Sequence, residues 1–306
     1  MSRLVLATRQ SQLALWQANY IKDRLEKAHA GLMVELLPLT TEGDRRQREV
    51  LSEIGGKGLF VKELEIAMLE KRADFAVHSL KDVPMELPAG LGIEVMCQRH
   101  NPYDALVSPQ KTALADLPAG AVIGTSSLRR QLQVKAHYPH LKVKNLRGNV
   151  DTRLRRLNEG DYDAIILAAA GLQRLGLEEN ISEILNSEIM LPAITQGVLA
   201  LECRQDDHAV LALLQCLADA KTTQCALAER ALSQGLNGGC QAPVGGFAQM
   251  IDERTIAMEG LVGDPSGIKI IKRSIQGPAS EAVKLGQTLA NEILNAGGEA
   301  LLSAFR

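Results

Sequence analysis

Aromatic side chains are scarce in this 306-residue chain, which holds one Trp, four Tyr and four Phe. Few platforms therefore exist on which bases could stack. The net charge of −2 also repels phosphate chains at long range, and a nucleic-acid partner is set aside. No apolar run approaches the roughly 20 residues of a membrane span, so no membrane association is expected. The five cysteines, at 97, 203, 216, 225 and 240, are an odd number with no Cys-x-x-Cys pair and no His at zinc-ligand spacing. Neither a disulfide framework nor a metal is expected. The opening Met-Ser-Arg passes directly into Leu4-Val5-Leu6-Ala7, too short for the core of a secretory signal, and the expectation is a cytoplasmic protein.

What is present is a globular composition, 46% hydrophobic and 23% charged, long enough for two or three domains. Charge is spread unevenly. Residues 125–156 carry nine Lys and Arg against Asp151 alone, a local charge of +8 inside an acidic protein. Such a field calls for an anionic ligand, and with few aromatics a small polyanion fits best.

In chain order, a strand at 3–7, a helix capped by Ser11 and a strand at 33–37 form a parallel βαβ unit. The stripe Leu13, Trp16, Tyr20 and Leu25 on that helix is assigned to the core. Residues 41–58 are polar and glycine-rich, a long surface loop in which Lys57 stands between glycines. An amphipathic helix at 59–72 precedes a buried strand at 74–78, which runs into Ser79-Leu80-Lys81-Asp82-Val83-Pro84. Pro84 disfavours helix at Val83, so Lys81 and Asp82 are expected in an extended turn, at the end of a parallel strand where open α/β sheets place ligands. Further strands fall at 92–97, 104–108, 121–124 and 142–146, with an apolar strand DAIILAAA at 163–170. The stretches LVLATRQSQLALWQANY and AVIGTSSLRRQLQVKAHY share one strand–turn–helix plan, which predicts two similar α/β domains, each aiming a helix N-terminus at an anion. A strand at 198–203 is expected to return to the first domain. Helices at 206–218 and 222–236, then strands at 244–250, 255–262 and 269–274 and a helix at 280–295, predict a small α+β domain.

Two stretches present chemistry. LNGGCQAPVGG holds Cys240 between glycines and a Gln-Ala-Pro turn, a loop that offers a thiol, although taken alone this stretch reads more readily as a buried structural cysteine. Arginines at 129, 147 and 153 recur where a parallel sheet should open, suited to carboxylates by their planar fork; Arg155 and Arg156 read as a solvated basic face.

With these residues assembled, the sequence resembles the porphobilinogen deaminase (hydroxymethylbilane synthase) family along essentially its whole length. The resemblance rests on LATRQSQLALWQ, GGKGLFVKELE, AVHSLKDVP, GTSSLRRQ, LRGNVDTRL, DAIILAAAGLQRLGL and NGGCQAPVGG in order. It departs from the family in LPAITQGVLALECR, where Thr195 and Leu199 stand at positions expected to be smaller. The resemblance implies a monomeric enzyme that joins four porphobilinogen molecules head to tail with loss of ammonia, giving hydroxymethylbilane for haem biosynthesis. It works on a dipyrromethane cofactor made from its own substrate, here attached through a thioether to Cys240. Asp82 is implied as the catalytic carboxylate at the pyrrole nitrogens. Lys81, Asp82, Thr125, Ser127, Arg129, Arg130, Arg147 and Gly148 are implied to bind the cofactor, and Arg9, Ser11, Ser126, Arg153 and Arg174 the substrate.

The expected architecture is two doubly wound α/β domains of type II periplasmic-binding-protein-like topology plus a C-terminal α+β domain with a three-stranded antiparallel sheet. Domain 1 takes residues 1–98 and 198–217, domain 2 residues 103–192 and domain 3 residues 220–306, with hinges at 97–103 and 191–198. The main rival is a binding module of the periplasmic type. Such a module has no need of Cys240 or of a third domain.

Overall fold

Leu4 and Leu6 alternate with Val5 and Ala7 along β1 (Ser2–Arg9), and both sets are apolar because the strand is covered on both faces. Leu4 and Leu6 pack with Ala18, Ile21 and Leu25 of α1 (Gln12–Ala28). Val5 and Ala7 pack with Leu64, Ala67 and Met68 of α2 (Lys62–Leu69). The structure, a computed structural model, describes residues 2–42, 61–237 and 242–305. The chain forms two compact units, one of residues 1–100 and 198–223, the other of 101–197 and 224–306.

The first unit holds a five-stranded sheet of order β2-β1-β3-β10-β4, in which β2 is Leu32–Leu39, β3 Phe75–Ser79, β4 Leu91–Met96 and β10 Leu199–Arg204. β2 and β3 run parallel to β1, while β10 is antiparallel to both neighbours. The second unit repeats this plan in the order β7-β6-β8-β5-β9, where β5 is Asp104–Val107, β6 Val122–Gly124, β7 Lys142–Lys144, β8 Ala164–Ala168 and β9 Glu183–Leu185. β7 and β8 run parallel to β6, and β5 is antiparallel to β8 and β9. Each sheet thus takes its antiparallel fourth strand from chain that has just left the other unit. The sequence repeat falls on β1–α1 and on β6 with α3 (Leu128–His137), which hold equivalent places. α4 (Val150–Asn158) and α5 (Ala169–Arg174) complete that layer.

After α6 (His208–Leu214) comes α7 (Ala220–Leu236), then the antiparallel sheet β11 (Val244–Met250), β12 (Thr255–Gly263) and β13 (Ile270–Pro278), with α8 (Ala282–Ile293) and α9 (Glu299–Leu302). Leu232, Met258, Val262, Leu289 and Ile293 fill the core between this sheet and α7 and α8.

The structure corrects three local expectations and adds one strand that the sequence did not mark. Trp16 and Tyr20 are half-buried and stacked, with centroids 5.2 Å apart, and His100 stands edge-on to both. Of the expected stripe Leu25 is buried in the core and Tyr20 packs against it, while the helix face that fills the core is Ala18, Ile21 and Leu25, roughly half a turn from Leu13, Trp16 and Tyr20. Leu80–Asp82 form a 3-10 turn rather than an extended one, and the extended residue is Val83 (φ −86°, ψ 127°), the position Pro84 restricts. The strand DAIILAAA ends at Ala168, its last alanines passing into α5 because Ala is the best helix former. β9, three residues long, had no readable pattern.

Candidate functional site

In the first unit the carboxyl ends of the parallel strands β1 and β3 lie side by side, Ala7 facing Ala76. Arg9 closes β1, and Ser11 caps α1 by accepting the Ala14 N–H at 3.3 Å. Gln17 of α1 donates to Ser79 Oγ at the end of β3 (2.9 Å). The turn Leu80–Asp82 follows at once, fixed by Leu80 N–H to the Val198 carbonyl (3.0 Å) and closed by Val83 N–H to the Leu80 carbonyl (3.2 Å). Leu80 is buried, Lys81 half-buried and Asp82 exposed. One edge of this sheet thus brings together Arg9, Ser11, Lys81 and Asp82.

In the second unit the corresponding edge gathers residues that follow β6 and β7. Thr125 is buried and its Oγ1 accepts the Ser127 N–H at 3.2 Å. Ser126 and Ser127 are half-buried; Ser127 is the N-cap of α3 yet makes no side-chain capping bond. The first turn of that ten-residue helix therefore keeps N–H groups for an anion. Arg147 is half-buried, and Gly148 has φ +113°, where a Cβ would come within 2.8 Å of Thr152. Arg153, in the first turn of α4, donates back to the Gly148 carbonyl at 2.7 Å. Arg155 and Arg156 pair with Glu159 and Asp161.

Arg129 and Arg130 are placed differently from the open cationic groups the sequence implied. They are 3% and 6% exposed and share Asp104, which has no exposed surface. Arg129 Nη1 lies 2.8 Å from Asp104 Oδ2 and donates to the Leu191 carbonyl at 2.7 Å. Arg130 donates from Nη2 and Nε to Asp104 Oδ1 (2.7 and 3.1 Å) and from Nη1 to the Ile166 carbonyl (2.8 Å). Burial alone would raise the Asp104 carboxyl, but the two guanidiniums outweigh it and hold it well below the ordinary carboxylate range. Burial likewise pushes the Arg129 guanidinium down from its usual value, against the pull of Asp104. The trio keeps one net positive charge. Arg174 is buried at the end of α5 and donates to the Gly197 carbonyl at 2.9 Å.

Sequence reasoning passed over the groups that hold these residues. Asp104 is one; its signal is a charge at the head of the otherwise apolar DALV strand. Gln133 is another, joined to Leu191 through its Oε1 (2.7 Å) and Nε2 (3.2 Å). Buried Glu229 of α7 accepts N–H groups from Thr195 (2.5 Å) and Ala248 (2.8 Å). Thr195 has φ +58°, a left-handed backbone that glycine takes most readily because it has no Cβ. Leu199, the other position expected to be smaller, lies buried in β10. Cys240, Lys57 and most of the 41–58 loop lie outside the described residues. Among the described residues Cys97, Cys203 and Cys225 are buried and Cys216 is exposed.

Hydroxyls, a helix start and arginines form a donor set suited to a ligand with several carboxylates, as the acetate and propionate groups of dipyrromethane require. A family model described as porphobilinogen deaminase, dipyromethane cofactor binding domain, matches residues 4–212. A second, porphobilinogen deaminase, C-terminal domain, matches residues 223–295. Solved structures similar to this chain include the ligand-binding component of an ABC-type import system from Staphylococcus aureus with zinc bound, 12% identical over 78% of this chain and 75% of that one (TM-score 0.41). A TRAP periplasmic solute binding protein from Desulfovibrio salexigens is 14% identical over 71% and 72% (TM-score 0.42). The periplasmic aliphatic sulphonate binding protein from Escherichia coli is 15% identical over 78% and 72% (TM-score 0.40). These three likenesses carry no functional weight.

Proposed function

Because the chain belongs to the porphobilinogen deaminase family, we propose that Asp82 is its catalytic carboxylate and Cys240 the thioether anchor of its dipyrromethane cofactor. The enzyme is a hydroxymethylbilane synthase that condenses porphobilinogen into hydroxymethylbilane in tetrapyrrole biosynthesis. Dipyrromethane, when bound, supplies the pyrrole carbon to which the first substrate unit is joined.

Asp82 accepts a hydrogen bond from the pyrrole N–H of the substrate. As the aminomethyl nitrogen leaves as ammonia, positive charge spreads onto that pyrrole nitrogen and meets a carboxylate already in place. A fixed charge of this kind needs no reorganisation at the moment of reaction. Arg9 and Ser11 take substrate carboxylates in the first unit, with Lys81 beside Asp82 toward the cofactor. In the second unit Thr125, Ser127, Arg147 and Gly148 take cofactor carboxylates, and Ser126 and Arg153 take those of substrate. Arg129 and Arg130 act on the cofactor chiefly through the one positive charge they keep beyond Asp104, and Arg174 acts from its bond to Gly197. Cys240 suits its role because even a few per cent of thiolate near pH 7 is strongly nucleophilic. The three-domain division at 1–98 with 198–217, 103–192 and 220–306 gives each of these groups its own scaffold.

Porphobilinogen is the small-molecule partner, and the enzyme acts as a cytoplasmic monomer with no nucleic-acid partner. Among the described residues no helix is long and apolar enough to cross a membrane.

The observation that carries the assignment of Asp82 is its exposed position on a fixed turn at the carboxyl edge of β1 and β3. Asp82→Asn is expected to lower kcat by about 100-fold to 1,000-fold, with the thermal midpoint little changed because the side chain is exposed. Near-normal turnover would remove Asp82 from the chemistry.

A further inference from the structure

Behind the Asp82 turn, on the face of the sheet covered by α2, the first unit buries three titratable side chains that the chemistry above does not use. His78 stands on β3, Glu202 on β10 and Glu65 on α2; Glu202 has no exposed surface, and the other two are 6% and 8% exposed. His78 Nε2 lies 2.8 Å from Glu202 Oε2. Neither that nitrogen nor the Glu202 oxygens have an aligned hydrogen bond among the described residues. His78 pairs with Ala200 and Glu202 with Ala76 across the antiparallel β3–β10 ladder, which makes the two side chains a diagonal rivet on one face of these strands. One pair further along, Ser79 faces Leu199, and the next residue begins the Asp82 turn with its N–H on the Val198 carbonyl.

A second carboxyl buried in this layer, that of Glu65 on α2, would add negative charge without a partner if it were ionised, which is costly unless it keeps a proton. Glu65 is suited to keep it. Burial first, then the charge of Glu202, push its carboxyl up to about 7, with His78 acting in the opposite sense. The charged groups brought to Glu65 are His78 from β3 and Glu202 from β10. β1, which also packs on α2, presents Ala7 to this layer and carries Arg9 two residues further on the same face. On α2 itself, Glu63 accepts the Glu42 N–H at 2.8 Å.

We propose that His78 and Glu202 are positioning residues for Asp82, holding the strand ends from which its turn springs, and that Glu65 completes them as the proton-carrying third member. This rests on the assignment of Asp82 given above, so the test has one arm that needs no turnover. A carboxyl whose folded value is raised adds stability that is complete below its ordinary value of 4.5 and is lost as pH rises through about 7. The thermal midpoint of the holoenzyme should therefore fall between pH 5 and pH 8 more steeply than that of Glu65→Gln, which keeps the neutral form. In the second arm, kcat and KM for porphobilinogen are followed against pH. Glu202→Gln should lose about 10-fold to 100-fold in kcat, the scale expected of a misplaced reacting group, with KM little changed. Glu65→Gln should abolish an inflection in kcat near pH 7 that the unaltered protein shows. Parallel midpoint curves for the unaltered protein and Glu65→Gln would overturn the proton-carrying role. Superimposable kcat–pH profiles would overturn the positioning role even if the midpoint curves differ. Should Glu202→Gln fail to fold, Glu65→Gln alone decides both points. An unaltered protein inactive on porphobilinogen would sink the proposal together with the assignment of Asp82, while the midpoint arm would still report on the proton.

Discussion

Asp104 is the residue on which the basic edge of the second unit turns. Two guanidiniums beside each other in the interior repel, and the buried carboxylate between them makes the arrangement tenable. Asp104→Asn keeps the shape and removes the charge, so it should destabilise the protein by about 3–5 kcal/mol, the cost of leaving buried charges without their partner. The sign with pH follows from a carboxyl held low in the folded state. Its contribution is present above the ordinary carboxylate value of 3.8 and is lost as pH falls through the lower folded value. Urea unfolding at pH 7 should show the full deficit, and the deficit should shrink as the pH is lowered into that acid range. An unchanged midpoint at pH 7 would mean that the guanidiniums are held by their carbonyl acceptors alone. The sequence displayed both arginines of α3, but not that their strongest partner sits more than twenty residues earlier on β5. A contact between a helix and a distant strand leaves no local trace, whereas the Ser11 cap, a contact between near neighbours, was legible.

Elements were legible where periodicity and punctuation agreed. β1, α1 and β2 follow from an apolar run, a serine cap and a second apolar run, and β11, β12 and β13 from successive short apolar stretches. Reading faltered where two patterns overlapped. Helix α1 carries two apolar stripes, and only the sheet decides that Ala18, Ile21 and Leu25 are the buried ones. The Asp82 turn misled because proline restricts the residue immediately before it and leaves those further back free to coil. The loop between β7 and α4 is held by Gly148, whose φ of +113° and close approach to Thr152 leave no room for a side chain. Gly148→Ala should cost about 1–3 kcal/mol in urea unfolding. On the role proposed for Arg153, which is tethered to the Gly148 carbonyl, it should also weaken porphobilinogen binding. A variant as stable and as tight-binding as the parent would contradict this account of the loop.

At the scale of the whole molecule, the repeat LVLATRQ/AVIGTSS proved to mark equivalent strands in two sheets of the same order, each completed by an antiparallel strand delivered from a crossover. The repeat was legible because both copies end in the same strand–turn–helix grammar. The exchange of fourth strands was only half legible, since the return of 198–203 was expected but its antiparallel sense depends on long-range pairing. The window of +8 in residues 125–156 divides on folding: Arg129 and Arg130 are spent largely on Asp104, and Arg155 and Arg156 on surface pairs. Arg147 and Arg153 stand half-buried around the loop that enters α4. The claim that unites these scales is that the protein carries its primer covalently on Cys240. The most direct measurement is the intact mass of the purified chain under denaturing conditions, beside that of Cys240→Ser, each before and after incubation with porphobilinogen. The account predicts an excess of two deaminated porphobilinogen units in the parent and none in the variant. A parent chain that keeps its bare mass after incubation, or a Cys240→Ser chain that carries the same excess, would contradict it.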